Sequence, residues 1–208
     1  MHLSIRRAVG ALVLIAGTIF TAAACEDLGP RTGQMTLFLT DAPGDVQTAV
    51  VTIEEIYLQR DDDEDGGRVV LRDTPFTTDL LTLADSMHLL IDGVEIPADT
   101  YGQLRMVISG AYIEVEAAGG GSEIYASSPT YAGLPADAVV TGSLQMPSFA
   151  TSGLKVNLPG DAFTVIADGL VFLAVDFDVS QSFGQLAGGS GQWVMTPVIH
   201  GTVPPAAP

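Results

Sequence analysis

Short alternations of apolar and polar residues, separated by glycine and proline, constrain the fold of this chain more than any other feature. Met35, Leu37 and Leu39 alternate with the polar Gln34, Thr36 and Thr40. The same period of two recurs in four later runs: Val51 and Ile53; Ile56 and Leu58; Leu104, Met106 and Ile108; and Val171, Leu173, Val175 and Phe177. This period predicts strands with one buried face. A break in phase at Glu54-Glu55 predicts a β-bulge, and a last strand is predicted over residues 193–199.

One segment departs from this pattern. Residues 80–91 place Leu80, Leu83, Met87 and Leu90 near helical spacing, which predicts a helix of three turns at most. Many short strands bury their apolar faces by packing as two sheets. We therefore expect an all-β fold, a β-sandwich of mostly antiparallel strands with at most one short helix. A single sheet closed on itself is the alternative.

The N-terminal segment predicts a bacterial lipoprotein signal. Arg6 and Arg7 precede an apolar run that ends in small residues directly before Cys25, the only cysteine. In such signals the cysteine is acylated, with chains such as palmitate, and becomes the new N-terminus. Two alternatives stay open, an ordinary cleaved signal and an uncleaved anchor. Ala22 and Ala24 form an Ala-x-Ala cleavage site, and Ala22 stands where lipoprotein signals usually have leucine.

The remaining chain is long enough for one domain. We expect a signal peptide over residues 1–24, an acylated cysteine and linker over 25–33, a β-sandwich over 34–202 and a disordered tail over 203–208. Because the chain has no second cysteine for a disulfide, this domain must be stabilised by its core.

Net charge limits the partners of that domain. Residues 1–24 contain two of the eight basic residues and none of the twenty-five acidic ones, so the rest carries a formal charge of −19. Nucleic acid and anionic lipid headgroups are therefore poor partners, whereas cations, neutral sugars and basic proteins remain candidates. Solubility outside the cell is the simpler interpretation of the charge.

The strongest local motif for a ligand is acidic. Asp61, Asp63 and Asp65 stand at alternate positions before Gly66, as in the opening of a calcium-binding loop. The match ends there, because Arg72 occupies the twelfth position and the flanking residues predict strands. A Ca²⁺ site is one hypothesis. The other, which we favour, is a solvated hairpin tip whose charge discourages edge pairing.

A second set of carboxylates is a candidate for ligand binding: Asp41, Asp45, Asp79, Asp176 and Asp178. Asp176 and Asp178 are two residues apart on a predicted strand and share a face. They would repel each other unless they were paired with Arg105, Lys155 or a cation. Paired carboxylates can also hydrolyse sugars.

The simpler role for Asp41 and Asp45 is to cap the turn at Pro43-Gly44, where aspartate accepts hydrogen bonds from backbone N–H groups. His88 and His200 have no cysteine or histidine partner at ligand spacing, so the sequence does not favour zinc or nucleophilic chemistry.

Aromatic residues are the remaining candidates for recognition. Five of them could form a surface on which sugars stack: Tyr101, Tyr112, Tyr125, Tyr131 and Trp193. In a β-sandwich such side chains more often pack in the core or at its rim, so both interpretations stay open.

Several short motifs, taken in order, resemble those of one protein family. They are Thr40-Asp41-Ala42-Pro43-Gly44-Asp45, Asp79-Leu80-Leu81-Thr82-Leu83, Ile96-Pro97-Ala98-Asp99-Thr100-Tyr101 followed by Gln103-Leu104-Arg105, Asp176-Phe177-Asp178, and Pro197-Val198-Ile199. Over residues 33–200 this order resembles domain-of-unknown-function family 4382. Asp99 departs from the family, which commonly has glycine there. The resemblance implies an extracytoplasmic β-sandwich and supplies no activity, substrate or catalytic residue.

Together these observations predict a lipoprotein of the cell envelope, held at a membrane by its lipid and facing the periplasm or the cell exterior. We expect a non-catalytic binding or adhesion module whose partner is a glycan or an envelope protein, with no nucleic acid bound. One alternative is a structural envelope lipoprotein without a small ligand. Another is a carboxylate-dependent enzyme that acts on glycosides.

Overall fold

The computed structural model describes residues 29, 31–42, 46–60, 67–83, 87–147, 153–158, 160, 162–185 and 192–202. The described part contains a short 3-10 helix (Leu80–Leu83), a short α-helix, α1 (Val179–Ser182), and fourteen strands. The strands are β1 (Thr32–Ala42), β2 (Thr48–Arg60), β3 (Arg68–Arg72), β4 (Phe76–Asp79), β5 (His88–Pro97), β6 (Thr100–Glu116), β7 (Ser122–Ala126), β8 (Val140–Gln145), β9 (Leu154–Val156), β10 (Phe163–Thr164), β11 (Leu170–Asp178), β12 (Phe183–Gln185), β13 (Trp193–Met195) and β14 (Ile199–Thr202).

The strands form two sheets. The smaller has the order β14-β11-β1-β5, and the larger has the order β12-β13-β8-β7-β6-β2-β3, with β4 on β2 and both β9 and β10 on β6. Among the described residues, nine of the twelve strand pairings are antiparallel, and β1–β11, β7–β8 and β8–β13 are parallel. The predicted all-β sandwich of mostly antiparallel strands is confirmed.

The core lies between the two sheets, where the alternating residues predicted from the sequence meet. Met35, Leu37 and Leu39 on β1 are fully buried. Across from them, the inner face of the larger sheet supplies Ile53 on β2 and Leu104 on β6, which are also buried. Burying each such side chain contributes about 1.5–3 kcal/mol before entropy is counted. This core needs no disulfide.

The predicted β-bulge is present in β2. Its register with β6 shifts between Ile53 and Glu55. The extra residue in the bulge lets the side chains after it point toward the core again. Ile53, Ile56 and Leu58 are therefore all buried, although the first pair is three residues apart and the second pair two.

Residues 80–91 were predicted as one helix, and this prediction is wrong for its second half. Leu80–Leu83 forms a 3-10 helix, but His88–Pro97 is strand β5, paired with β1. Leu90 and Ile91 become buried as strand residues against the core. Pairing with a neighbouring strand therefore overrides the helical spacing.

The strand predicted over residues 193–199 is also wrong as a single element. Trp193–Met195 belongs to the larger sheet and Ile199–Thr202 to the smaller one. Pro197 lies in the crossing between them and has no N–H to continue a ladder. The chain thus changes sheet where the sequence pattern suggested continuity.

A second apolar cluster lies on the outer face of the larger sheet. Val50, Tyr112 and Ala126 are buried there. Tyr131 and Leu134, from the segment over residues 127–139, pack over them. This segment shields one outer surface of the larger sheet from water.

Several predicted features lie outside the described residues. These are the signal over residues 1–24, most of the linker, the tail over residues 203–208, and the side chains of Cys25, Asp45, Asp61, Asp63 and Asp65. The predictions for them stay predictions.

Candidate functional site

A cleft opens between the sheets at the end of the sandwich where β1 and β11 finish. Its volume is about 540 Å³. The lining combines apolar, aromatic and acidic side chains: Val46, Val115, Glu116, Ala118, Glu123, Val179, Ser180, Phe183, Gly184, Gln185 and Trp193. None of these described lining residues is basic. A concave cleft that combines apolar and aromatic side chains with a few polar groups is the usual form of a small-ligand site.

The acidic wall comes from the hairpin of β6 and β7. Val115 on β6 pairs with Glu123 on β7, so both side chains lie on the inner face. A turn containing Gly120 and Gly121 at positive φ joins the strands, a backbone conformation that glycine adopts without strain. The hairpin thereby places the Glu123 side chain at the cleft, and Glu116, the next residue after Val115, lines it at the exposed end of β6.

Glu123 is fixed by its neighbour on the same strand face. The Tyr125 hydroxyl donates a hydrogen bond of 2.7 Å to Glu123 Oε2. This bond is the main reason why the pKa of Tyr125 is raised, and burial of the phenol raises it further. A second oxygen of the Glu123 carboxylate can still accept a hydrogen bond from a ligand.

The aromatic wall is formed by Trp193 on β13 and Phe183 on β12. The Trp193 and Tyr125 rings lie 5.8 Å apart, tilted by 50°, within the range of favourable aromatic pairs. Both Trp193 and Phe183 are only half-buried. Each therefore packs on the core while presenting part of its ring to the cleft.

The floor of the cleft includes the start of α1, which Asp178 caps. Asp178 Oδ1 accepts hydrogen bonds from Ser180 Oγ at 2.6 Å and Gln181 N at 3.1 Å, and Gln181 Nε2 donates to Oδ2. These bonds, the one from Ser180 first, lower the pKa of Asp178. The cap holds Val179 and Ser180 at the cleft.

The other described aspartates of the predicted set also contact backbone or hydroxyl groups. Asp41 is buried, and its Oδ1 accepts a hydrogen bond from Val179 N at 3.3 Å. Asp79 Oδ1 accepts hydrogen bonds from Ala49 N and Leu81 N, at 3.2 and 3.1 Å. Asp41 thus lies beside Asp178 below the cleft, while Asp79 caps the 3-10 helix.

Asp176 lies on the outer face of the smaller sheet, where Thr40 Oγ1 donates to its Oδ1 at 3.4 Å. The basic residues proposed as its partners belong to the larger sheet. Arg105 on β6 donates to Gln103 Oε1 at 2.8 Å and to Gly153 O at 3.3 Å. Lys155 pairs with Arg105 in register on β9.

The five aromatic residues do not form one stacking surface. Tyr101, Tyr112 and Tyr125 are buried, and Tyr131 covers the second apolar cluster. Of this set, Trp193 alone lines the cleft.

The described residues contain neither a cluster of metal ligands nor a membrane-spanning helix. In the described ranges no group of three or more His, Cys, Asp or Glu side chains is arranged to hold a metal ion. Within the same ranges no helix has the length and apolar character needed to cross a membrane. Asp61, Asp63 and Asp65 lie outside these ranges.

A family model described as Domain of unknown function (DUF4382) matches residues 32–197. The chain belongs to the DUF4382 family. This match confirms the family resemblance that the motifs predicted. The matched range of this DUF4382 protein begins at Thr32, the first residue of β1, and includes every residue that lines the cleft. No curated protein and no solved structure matched the chain.

Glu116, Glu123 and Phe183 were not among the predicted site residues. The sequence held one usable signal: Glu123 and Tyr125 alternate directly after a triple-glycine turn, which places them on one face of a strand. The approach of β12 and β13 to this hairpin depends on pairings that no local pattern shows.

Proposed function

We propose that this DUF4382 protein is a lipid-anchored lipoprotein of the cell envelope that acts as a non-catalytic binding module, with the cleft as its ligand site. The observation that carries the proposal is the cleft itself, which combines the half-buried Trp193 ring with the Glu123 carboxylate.

The position of the cleft suits a tethered protein. Acylation at Cys25 would attach the membrane a few residues before Thr32, where β1 begins. β1 has eleven residues, which corresponds to about 33 Å at the usual rise of a strand. The cleft opens beyond the other end of β1, so it would lie at the end of the domain opposite to the tether, where partners in the envelope can reach it.

The chemistry of the lining favours a ligand that donates hydrogen bonds. Carboxylates are acceptors, and an aromatic ring stacks on the apolar face of a sugar or of a planar group. A glycan, or a basic segment of an envelope protein, supplies both kinds of contact. The acidic character of the whole domain favours the same partners.

A hydrolytic role has weaker support. Asp178, one of the two carboxylates in the predicted pair, is engaged in capping α1. Asp176 lies on the outer face of the smaller sheet rather than in the cleft.

The anchor can be tested by feeding labelled fatty acid to cells that produce the native chain or Cys25→Ser. We expect label in the native chain and none in the variant. Equal labelling of both chains, or no labelling of either, would overturn the lipoprotein part of the proposal.

The cleft can be tested with the native fluorophore, because Trp193 is the only tryptophan of the chain. Purified acylated protein in detergent is titrated with soluble envelope glycan fragments and, separately, with a basic peptide, each with and without Ca²⁺. We expect a saturable change in tryptophan fluorescence with one of these probes. Absence of any saturable change with both probes would overturn the assignment of the cleft.

Two matched variants locate the binding. Glu123→Gln removes a carboxylate from the cleft, and because a hydrogen bond to a charged group contributes about 1.5–3 kcal/mol, the dissociation constant is expected to rise at least about tenfold. Glu114→Gln changes a carboxylate on the outer face of β6, which accepts a hydrogen bond from Thr48 Oγ1, and should leave binding unchanged. Equal loss in both variants would contradict binding in the cleft.

A further inference from the structure

Large apolar side chains are exposed on the outer face of the smaller sheet. Leu170 is 66% exposed, Phe172 44% and Leu89 47%. Phe38, between them on β1, is half-buried, and Ile166 in the preceding turn is 66% exposed. We call these five residues the apolar face. Contiguous exposed apolar surface on a soluble domain commonly marks a contact with a protein or a membrane.

Register shows that these side chains are neighbours. Phe38 pairs with Ala174 on β11 and with Leu89 on β5. Phe172 pairs with Thr36, one row closer to the start of β1. The members therefore cross three strands of one sheet surface, since residues paired across strands lie on the same side.

The apolar character changes along the sheet. At the end where β1 begins, the outer face carries Leu170, with Ile166 beside it. At the end where β1 finishes, the same face carries Thr40, Asp176 and His200, which follow one another in register across β1, β11 and β14. Of the apolar face, Phe38 and its partner Leu89 lie past the middle of β1. Ile166, Leu170 and Phe172 lie toward the end where β1 begins, where the latter two pair in register with the polar Gln34 and Thr36.

That end is the one at which a lipid tether would enter. Thr32 O accepts a hydrogen bond from Asp168 N at 2.8 Å, and Gln34 N donates to Gly169 O at 2.8 Å. These bonds fix the start of β1 directly beside the turn that carries Ile166 and leads into Leu170.

The tether is short. Cys25 stands seven residues before Thr32, and seven residues reach at most about 25 Å when fully extended. If Cys25 carries the lipid, the bilayer surface lies within that distance of Thr32.

We propose that the apolar face rests on the bilayer that holds the anchor, with Leu170 and Phe172 inserted at the level of the lipid headgroups. This inference rests on the proposed lipid anchor. Apolar side chains bind reversibly at the membrane interface in proportion to the area they bury. Because the domain is strongly acidic, the lipid surface that fits it is neutral overall rather than anionic.

The contact has a consequence for orientation. A tether alone lets the domain turn freely about its attachment point. A second contact on one sheet face would fix the outer surface of the larger sheet away from the membrane and hold the cleft at a constant height.

The experiment uses the acylated full chain reconstituted in phosphatidylcholine vesicles, with a thiol-reactive fluorophore that is sensitive to polarity. Phe172→Cys places the probe in the apolar face. Val70→Cys is the matched control, since Val70 is 46% exposed on the outer face of the larger sheet. An acylated Cys25 has no free thiol, so the native chain should take up no label.

For Phe172→Cys we expect a blue shift of emission on reconstitution and a loss of intensity when part of the lipid carries a headgroup nitroxide. For Val70→Cys we expect neither change. A fluorophore attached to Leu89→Cys reports on the apolar face while Phe172 stays in place. Adding Leu170→Ser and Phe172→Ser to Leu89→Cys should abolish its quenching, because the residues that hold the contact are lost.

The outcomes separate the two proposals. If the protein does not float with the vesicles, or the native chain takes up label, the lipid anchor is wrong and the membrane contact falls with it. If the protein floats but the Phe172→Cys probe stays unquenched, the anchor stands and the contact is wrong. A blue shift without quenching, together with cross-linking between copies, would assign the apolar face to a second copy of the chain and overturn the inference.

Discussion

Gly110 is the position where the structure makes its sharpest prediction about stability. It lies within β6, under the segment of residues 127–139 that covers the second apolar cluster. A Cβ atom at this position would lie 2.5 Å from Cδ2 of the Tyr131 ring and closer still to Cε2. Carbon atoms in ordinary contact are about 3.5–4.0 Å apart. The glycine is therefore required by close approach.

The Tyr131 ring cannot move away from position 110 without losing a hydrogen bond. The Tyr131 hydroxyl forms a hydrogen bond of 2.6 Å with Thr52 Oγ1. Overpacking of this kind costs about 1–3 kcal/mol, and a broken hydrogen bond adds about 1 kcal/mol. The opposing gain from a stiffer unfolded chain is only about 0.4–1 kcal/mol. We expect Gly110→Ala to destabilise the native protein by about 1–3 kcal/mol.

Removing the ring should reverse this effect. In a Tyr131→Ala background the three atoms nearest to the added methyl group are gone, so Gly110→Ala is expected to become neutral or slightly stabilising. The free energy of unfolding of all four chains can be measured by urea denaturation in detergent, with the slope of each transition compared. An equal cost of Gly110→Ala in both backgrounds would refute the close approach.

Two further predictions concern the neighbourhood of the cleft. Asp178→Ala should destabilise the protein by about 1 kcal/mol by removing the cap of α1, whereas Asp178→Asn should keep most of the cap. The pKa of Asp178 in the folded protein is lowered from 3.8. The difference in free energy of unfolding between the native protein and Asp178→Ala is therefore expected in full above pH 3.8. It should disappear as the pH falls through the lowered pKa. Unfolding curves at several pH values measure this, and a difference independent of pH would contradict it. Glu123→Gln should lower the pKa of Tyr125, since the Glu123 carboxylate is the main cause of its increase. Tyrosinate absorbance during an alkaline titration reports this, and a titration identical to that of the native chain would disprove the contact.

The sequence predicted the buried faces well because they are local. Met35, Leu37 and Leu39 are buried as their alternation requires, and the bulge at Glu54-Glu55 lies where the phase breaks. The period of two depends only on the pleat of a single strand.

What the sequence did not predict depends on distant pairings. β5 is a strand because β1 lies beside it, despite the helical spacing of Leu83, Met87 and Leu90. The cleft depends on β12 and β13 meeting the β6–β7 hairpin, and no local pattern contains that contact. The aspartates that looked most available, such as Asp178, are engaged in capping, and capping depends on where a helix begins.

The parallel pairing of β1 with β11 explains how one small domain can separate attachment from recognition. Thr40 and Asp176, 136 residues apart in the chain, are neighbours across this pair. In a parallel pair both strands begin at one end and finish at the other. β1 and β11 therefore bring Thr32 and Leu170 to one end of the sandwich, and Asp41 and Val179 to the other. An antiparallel partner would have placed the α1 turn at the tether end. Under the proposed function, this pairing separates the tether from the cleft by about 33 Å along the sandwich, the length of β1.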